Sequence, residues 1–181
     1  LAYDNVANTW SLDLSALTLG EGTYPVVATA TNGNGSTTGS ADLVIDTTAP
    51  VAPAVDALTT SSSTPTITGT AMVDTVAGEG LTVEFNSVTY TLGVDGELTL
   101  AGTDWSLDVP DALPDAAYSV TATVTDAAGN TATATDNVTV DSALPQAPTV
   151  NALTTNATGP VLTGTATIDS GDGDEFSVFV D

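Results

Sequence analysis

The chain has 181 residues, 23 of them acidic and none of them lysine, arginine, histidine or cysteine, which sets the formal charge at -23 and the sequence pI at about 4.1. That inventory excludes a histidine base, a cysteine nucleophile, a Schiff-base lysine and any disulfide, withholds the imidazole and thiolate ligands of transition metals, and leaves no cation for nucleic-acid phosphate. What remains is oxygen, the donor that hard cations such as Ca2+ take.

Hydrophobic residues make up 41% and mean hydropathy is +0.21, which separates the chain from acidic disordered segments. Thirty-five threonines, with recurrent Gly and Pro, favour strands joined by short turns. No apolar run reaches the ~18 residues of a membrane span, so no membrane insertion is expected. No signal peptide opens the chain, which reads as an internal stretch of something longer.

A repeat with a period of 95 residues orders the elements. Residues 1–46 read as the C-terminal half of a preceding repeat. Trp10-Ser11-Leu12-Asp13 anticipates Trp105-Ser106-Leu107-Asp108, and Tyr24 anticipates Tyr118 after one short length change. The hairpin Asn32-Gly33-Asn34-Gly35-Ser36 carries no carboxylate, and Asp46 closes the half-repeat.

Residues 47–141 form one complete repeat, for which a period-two pattern predicts seven strands. A Pro-rich opening segment near Ala52–Leu58 is the first. Ile67, Gly69 and Ala71 lie on the second, Leu81, Val83 and Phe85 on the third, and Val88, Tyr90 and Leu92 on the fourth. Trp105, Leu107 and Val109 give the fifth, Val120, Ala122 and Val124 the sixth, and a strand from about Thr131 to Val140 the seventh. Seven strands in about 95 residues is the size of an immunoglobulin-like sandwich, so the fold class is all-β, with immunoglobulin-like sandwich repeats in tandem. Tyr118, just before the sixth strand, reads as a tyrosine corner, and Trp105 and its counterpart Trp10 both read as core.

Residues 142–181 read as the N-terminal half of a following repeat. Ala147-Pro148-Thr149-Val150-Asn151-Ala152-Leu153-Thr154-Thr155 repeats Ala52-Pro53-Ala54-Val55-Asp56-Ala57-Leu58-Thr59-Thr60, and Gly69, Asp74 and Val83 recur as Gly164, Asp169 and Val178. Neither half closes a core alone. Head-to-tail complementation between half-repeats of adjacent molecules is therefore expected, beside contacts with neighbouring repeats of the same chain.

Eighteen of the acids are aspartate, the turn-forming acid and a short ligand. Asp126-Ala127-Ala128-Gly129-Asn130 reads as the hairpin between the last two strands, and Asp74 and Glu79 flank the turn between the second and third. In an immunoglobulin-like topology both loops lie where the chain enters, around the linker carrying Asp46. Four carboxylates and an amide are expected to converge there on Ca2+, which takes 6–8 oxygens. At the next junction Asp141 would meet Asp169, Asp172 and Asp174. Asp104, Asp108 and Asp136 fall on strands as surface charge.

The run Tyr118-Ser-Val-Thr-Ala-Thr-Val-Thr-Asp-Ala-Ala-Gly-Asn130, followed by Val138-Thr-Val-Asp141 and a Pro-containing linker, resembles the bacterial Ig-like repeats of RTX-type giant adhesins of Gram-negative surfaces, including ice-binding and biofilm adhesins. The resemblance implies an extracellular extender segment stiffened by Ca2+ at its junctions, with ligand roles for Asp46, Asp126, Asn130 and Asp141. Asp74 and Glu79 rest on topology, and Asp169 and Asp174 on the repeat. A competing reading is an Ig-like module that binds a carbohydrate or surface partner, which predicts exposed aromatics. An enzyme would need paired carboxylates in a cleft, which nothing in the sequence builds.

Overall fold

The computed structural model describes residues 1–168 and 175–180. Four strands precede the central domain: β1 (Ala2–Asp4), β2 (Thr9–Ser11), β3 (Gly22–Asn32) and β4 (Gly35–Ile45). They form two hairpins, β1–β2 and β3–β4, each pairing only with itself. The central domain holds β5 (Ala54–Val55), β6 (Leu58–Thr60), β7 (Thr66–Thr70), β8 (Gly80–Phe85), β9 (Val88–Thr91), β10 (Leu98–Ala101), β11 (Asp104–Asp108), β12 (Ala116–Thr125) and β13 (Thr131–Val140). Two short strands follow, β14 (Thr149–Val150) and β15 (Gly164–Thr165), paired with each other.

The central strands make two sheets, in the orders β10-β11-β7-β5 and β6-β13-β12-β8-β9. Their inner faces meet in one core, because alternate residues of each strand point to the same side. Ile67, Leu81, Val83, Leu107, Val120 and Val124 are completely buried, with Trp105 and Phe85 the largest buried side chains. Threonines and Glu84 take the alternate positions of β7, β8 and β12, away from that core. The tyrosine corner is present: the Tyr118 hydroxyl donates to Pro114 O at 2.8 Å, and Tyr24 repeats it on Gly20 O at 2.9 Å.

Nine strands replace the seven expected. The opening segment, read as one strand, divides at Asp56-Ala57: β5 pairs antiparallel with β7, and β6 pairs parallel with β13 in the opposite sheet. Leu98–Ala101 forms a strand that the period-two reading passed over, paired with β11. Val88 was placed inward and is instead half exposed, since it follows directly on the two-residue turn Asn86-Ser87, both with positive φ. Trp10 also corrects its expectation. Trp105 is 1% exposed, but Trp10 is 52% exposed, because no strand among the described residues covers the β1–β2 hairpin as β7 covers β11.

Candidate functional site

The β12–β13 hairpin is built around Asp126. Its backbone N–H donates to Asn130 O at 3.0 Å, and Gly129 takes φ +93, which a residue with a Cβ rarely adopts. Asp126 Oδ1 accepts from the N–H groups of Ala128 (2.9 Å) and Asn130 (2.8 Å), while Oδ2 accepts from Asn130 Nδ2 at 2.9 Å. The Asn130 amide therefore holds the Asp126 carboxyl below the usual carboxylate range, against the opposing effect of desolvation and with help from the N–H groups of Asn130, Ala128 and Gly129.

The same amide leaves the domain. Asn130 Nδ2 also donates to the backbone oxygen of Asp46, 84 residues earlier, at 3.1 Å. Three residues singled out from sequence, Asp46, Asp126 and Asn130, are thus brought to one place where the chain enters the central domain. Asp46 contributes its carbonyl there, while its carboxylate accepts from Thr48 N at 3.0 Å and shapes the linker.

Asp74 and Glu79 cap each other's turn. Asp74 Oδ1 accepts from the N–H groups of Val76 and Ala77, both at 3.0 Å, and Glu79 Oε2 accepts from Asp74 N at 2.7 Å. The turn lies against the hairpin: a Cβ on Gly78 would come within 3.1 Å of Ala127 Cβ. Asp74 and Glu79 also border a shallow pocket of about 360 Å³ with Val51 of the linker. Both loops therefore sit beside the entering chain, as the topology argument expects.

They do not merge into one cluster. Among the described residues no three acidic side chains lie close enough together to hold a metal ion. The reason is local: each aspartate is short, and its Oδ1 is engaged by N–H groups two to four residues along. The donor chemistry nevertheless fits a hard cation, since Asp126 carboxylate, Asp46 carbonyl and the oxygen of the Asn130 amide are all oxygen ligands. With the Asn130 amide turned so that its oxygen replaces the NH2 now directed at Asp126 Oδ2 and Asp46 O, those three would hold Ca2+, with Asp74 and Glu79 as the adjacent carboxylates, and the ion would supply the positive charge this sequence lacks.

A second set of contacts fixes the exit of each repeat. Asp115 accepts from Ser142 N at 3.1 Å and from Ser142 Oγ at 2.8 Å, and Asp141 accepts from Ala143 N at 2.9 Å. Asp141 therefore shapes the exit linker. The first half-repeat has the same clasp with glutamate: Glu21 accepts from Thr47 Oγ1 (3.1 Å) and Thr48 Oγ1 (2.9 Å). Sequence reasoning missed Glu21, although it precedes Asp115 by the same interval as Tyr24 precedes Tyr118. Asp169, Asp172 and Asp174 lie outside the described residues.

A family model described as bacterial Ig-like domain matches residues 52–142. No curated protein matches the chain. Among solved structures, the titin domains Z1Z2 in complex with telethonin are 22% identical over 66% of this chain and 60% of that one, with a TM-score of 0.34. A 1.5-MDa bacterial ice-binding adhesin is 26% identical over 66% of this chain and 42% of that one, with a TM-score of 0.32. SGBP-B of the Bacteroides ovatus mixed-linkage glucan utilization locus, in complex with a mixed-linkage heptasaccharide, is 17% identical over 75% of this chain and 33% of that one, with a TM-score of 0.30. The chain spans between 33% and 60% of the length of these structures.

Proposed function

The chain belongs to the bacterial Ig-like domain family, and from that premise we propose that it is an extender segment of a secreted bacterial surface adhesin of the RTX type, stiffened by Ca2+ where one repeat enters the next. The reading divides the chain into a half-repeat at 1–46, a whole repeat at 47–141 and a half-repeat at 142–181, and it assigns no catalysis.

The observation that carries it is the Asn130 bridge from the Asp126 hairpin to the Asp46 carbonyl. That bridge is a single hydrogen bond from a neutral amide, which by itself is a weak restraint on the junction. A cation joined to the Asp46 carbonyl and the Asp126 carboxylate would strengthen that restraint and offset the repulsion among 23 uncompensated acids. Secreted calcium modules work at about 10⁻⁴–10⁻³ M, a concentration found outside cells.

The test is calorimetric titration of the 181-residue chain with CaCl2, beside Asp126→Ala. Heat that saturates in the submillimolar to millimolar range, and weakens at least ~10-fold in the variant, is expected. Equal titration curves for parent and variant would remove Asp126 from the site, and no saturable heat would overturn the calcium reading.

A further inference from the structure

The turn between β3 and β4 repeats the Asp126 hairpin with an amide in place of the acid. Asn32 stands at the same interval from Tyr24 as Asp126 from Tyr118. The two side chains make the same local contact: Asn32 Oδ1 accepts from Asn34 N at 2.8 Å, and Asp126 Oδ1 accepts from Ala128 N at 2.9 Å. They differ only in the other arm, a carboxylate oxygen on Asp126 and an NH2 group on Asn32.

That NH2 becomes a leaving group where a backbone nitrogen can reach Cγ, which is easiest when the next residue has no Cβ. Of the nine asparagines in the sequence, only Asn32 and Asn34 precede glycine. Gly33 lies in the two-residue turn outside both strands, and its N–H makes no hydrogen bond among the described residues. A Cβ on Gly33 would meet nothing within 4 Å, so water and base reach the turn freely. The Asn34 N–H already rests on Asn32 Oδ1, the atom on which negative charge develops when Cγ is attacked. Gly35, by contrast, belongs to β4 and pairs with Asn32 across the ladder, so the Asn34 side chain is offered no free backbone nitrogen. Exposure is a property of the turn itself: its counterparts Ala127, Ala128 and Gly129 are exposed in the complete repeat as well.

We propose that Asn32 is a deamidation site, where water replaces ammonia and gives the first hairpin the carboxylate that its sequence lacks. A hydroxide ion or buffer base takes the Gly33 N–H proton, and the nitrogen attacks Asn32 Cγ. The tetrahedral oxyanion on Oδ1, held by the Asn34 N–H, collapses; the Cγ–Nδ2 bond breaks, and Nδ2 takes up a proton and leaves as ammonia. Water then opens the five-membered succinimide. Attack at Cγ gives a normal aspartyl residue in the place that Asp126 holds in the next repeat. Attack at the backbone carbonyl carbon of residue 32 gives the β-linked isomer, which lengthens the turn by one backbone atom. One water enters, one ammonia leaves and one negative charge is gained. The step involves no oxidant and no calcium, so it stands or falls apart from the calcium reading.

The test is site-resolved mass spectrometry of the 181-residue chain, aged in chelator at mildly alkaline pH and cut with an acid-directed protease, since the sequence offers trypsin no site. Isoaspartate is counted by methylation with a protein-isoaspartate methyltransferase. Ammonia loss is expected first at Asn32, at least ~10-fold ahead of Asn34, and the two rates should converge in urea, where the turn contacts are gone. Gly33→Ala fits the turn, because Gly33 has no positive φ, and should slow the loss at Asn32 at least ~10-fold. Asn32→Gln, whose longer side chain cannot close the same five-membered ring, should silence the position. An Asn32 rate no greater than that of Asn34 in the folded chain, a rate unchanged by Gly33→Ala, or ammonia loss confined to other asparagines would each overturn the proposal.

Discussion

Asn130 joins two domains with one amide, and Asp126 holds that amide in place. Since the Asp126 pKa is depressed in the folded chain, its contribution to stability is complete above about pH 4 and is lost as acid carries the pH through the lowered folded value. Melting temperatures of the parent and Asp126→Asn should therefore differ near neutrality and converge towards about pH 2; a difference that persists there would detach the effect from the carboxylate. Gly69 is the other decisive residue. Its missing Cβ leaves room for the Trp105 ring and the Ala54 carbonyl, so Gly69→Ala should cost about 1–3 kcal/mol by overpacking, read as a lower urea midpoint. A midpoint equal to the parent's would mean that the indole moves aside freely.

Among the elements, the corner at the start of β12 recurs at the start of β3, which makes it a test of shared local structure. Tyr118→Phe leaves the ring beside Phe85, 5.6 Å away between centroids, and removes only the hydroxyl bond to Pro114 O. A loss of about 1 kcal/mol is expected in denaturant unfolding, and no loss would make the hydroxyl a bystander. Strands with long alternating runs were legible from sequence: β7, β8, β11, β12 and β13 fall where Ile67, Val83, Leu107, Ala122 and Val138 place them. The division of the opening strand was not read, because alternation does not say which sheet a strand joins; Val55 and Leu58, an odd number of residues apart, both pack on the core only because the segment breaks at Asp56-Ala57. Leu98–Ala101 was hidden by its shortness and by Gly93 and Gly96 just before it. At the site, the topology argument brought Asp46, Asp126 and Asn130 to one junction. It did not reveal that Asp74 and Glu79 would cap each other, since backbone N–H demand is invisible in a list of acids.

At the scale of the whole molecule, a chain with 23 acids and no basic side chain has nothing of its own to neutralise its junctions. Neutralising cations can come only from solution, and by mass action an ion that binds the folded junction raises its stability. Thermal unfolding of the 181-residue chain in chelator, in Mg2+ and in Ca2+ is the most direct measurement. With a dissociation constant of about 10⁻⁴–10⁻³ M, 10 mM Ca2+ should add about 1.4–2.7 kcal/mol, which raises the midpoint by roughly 5–20 °C for a domain of this size. The shift should grow with Ca2+ concentration and stay small in Mg2+. A melting curve indifferent to Ca2+ at that concentration would contradict the account and leave the Asp126 hairpin as a solvated turn.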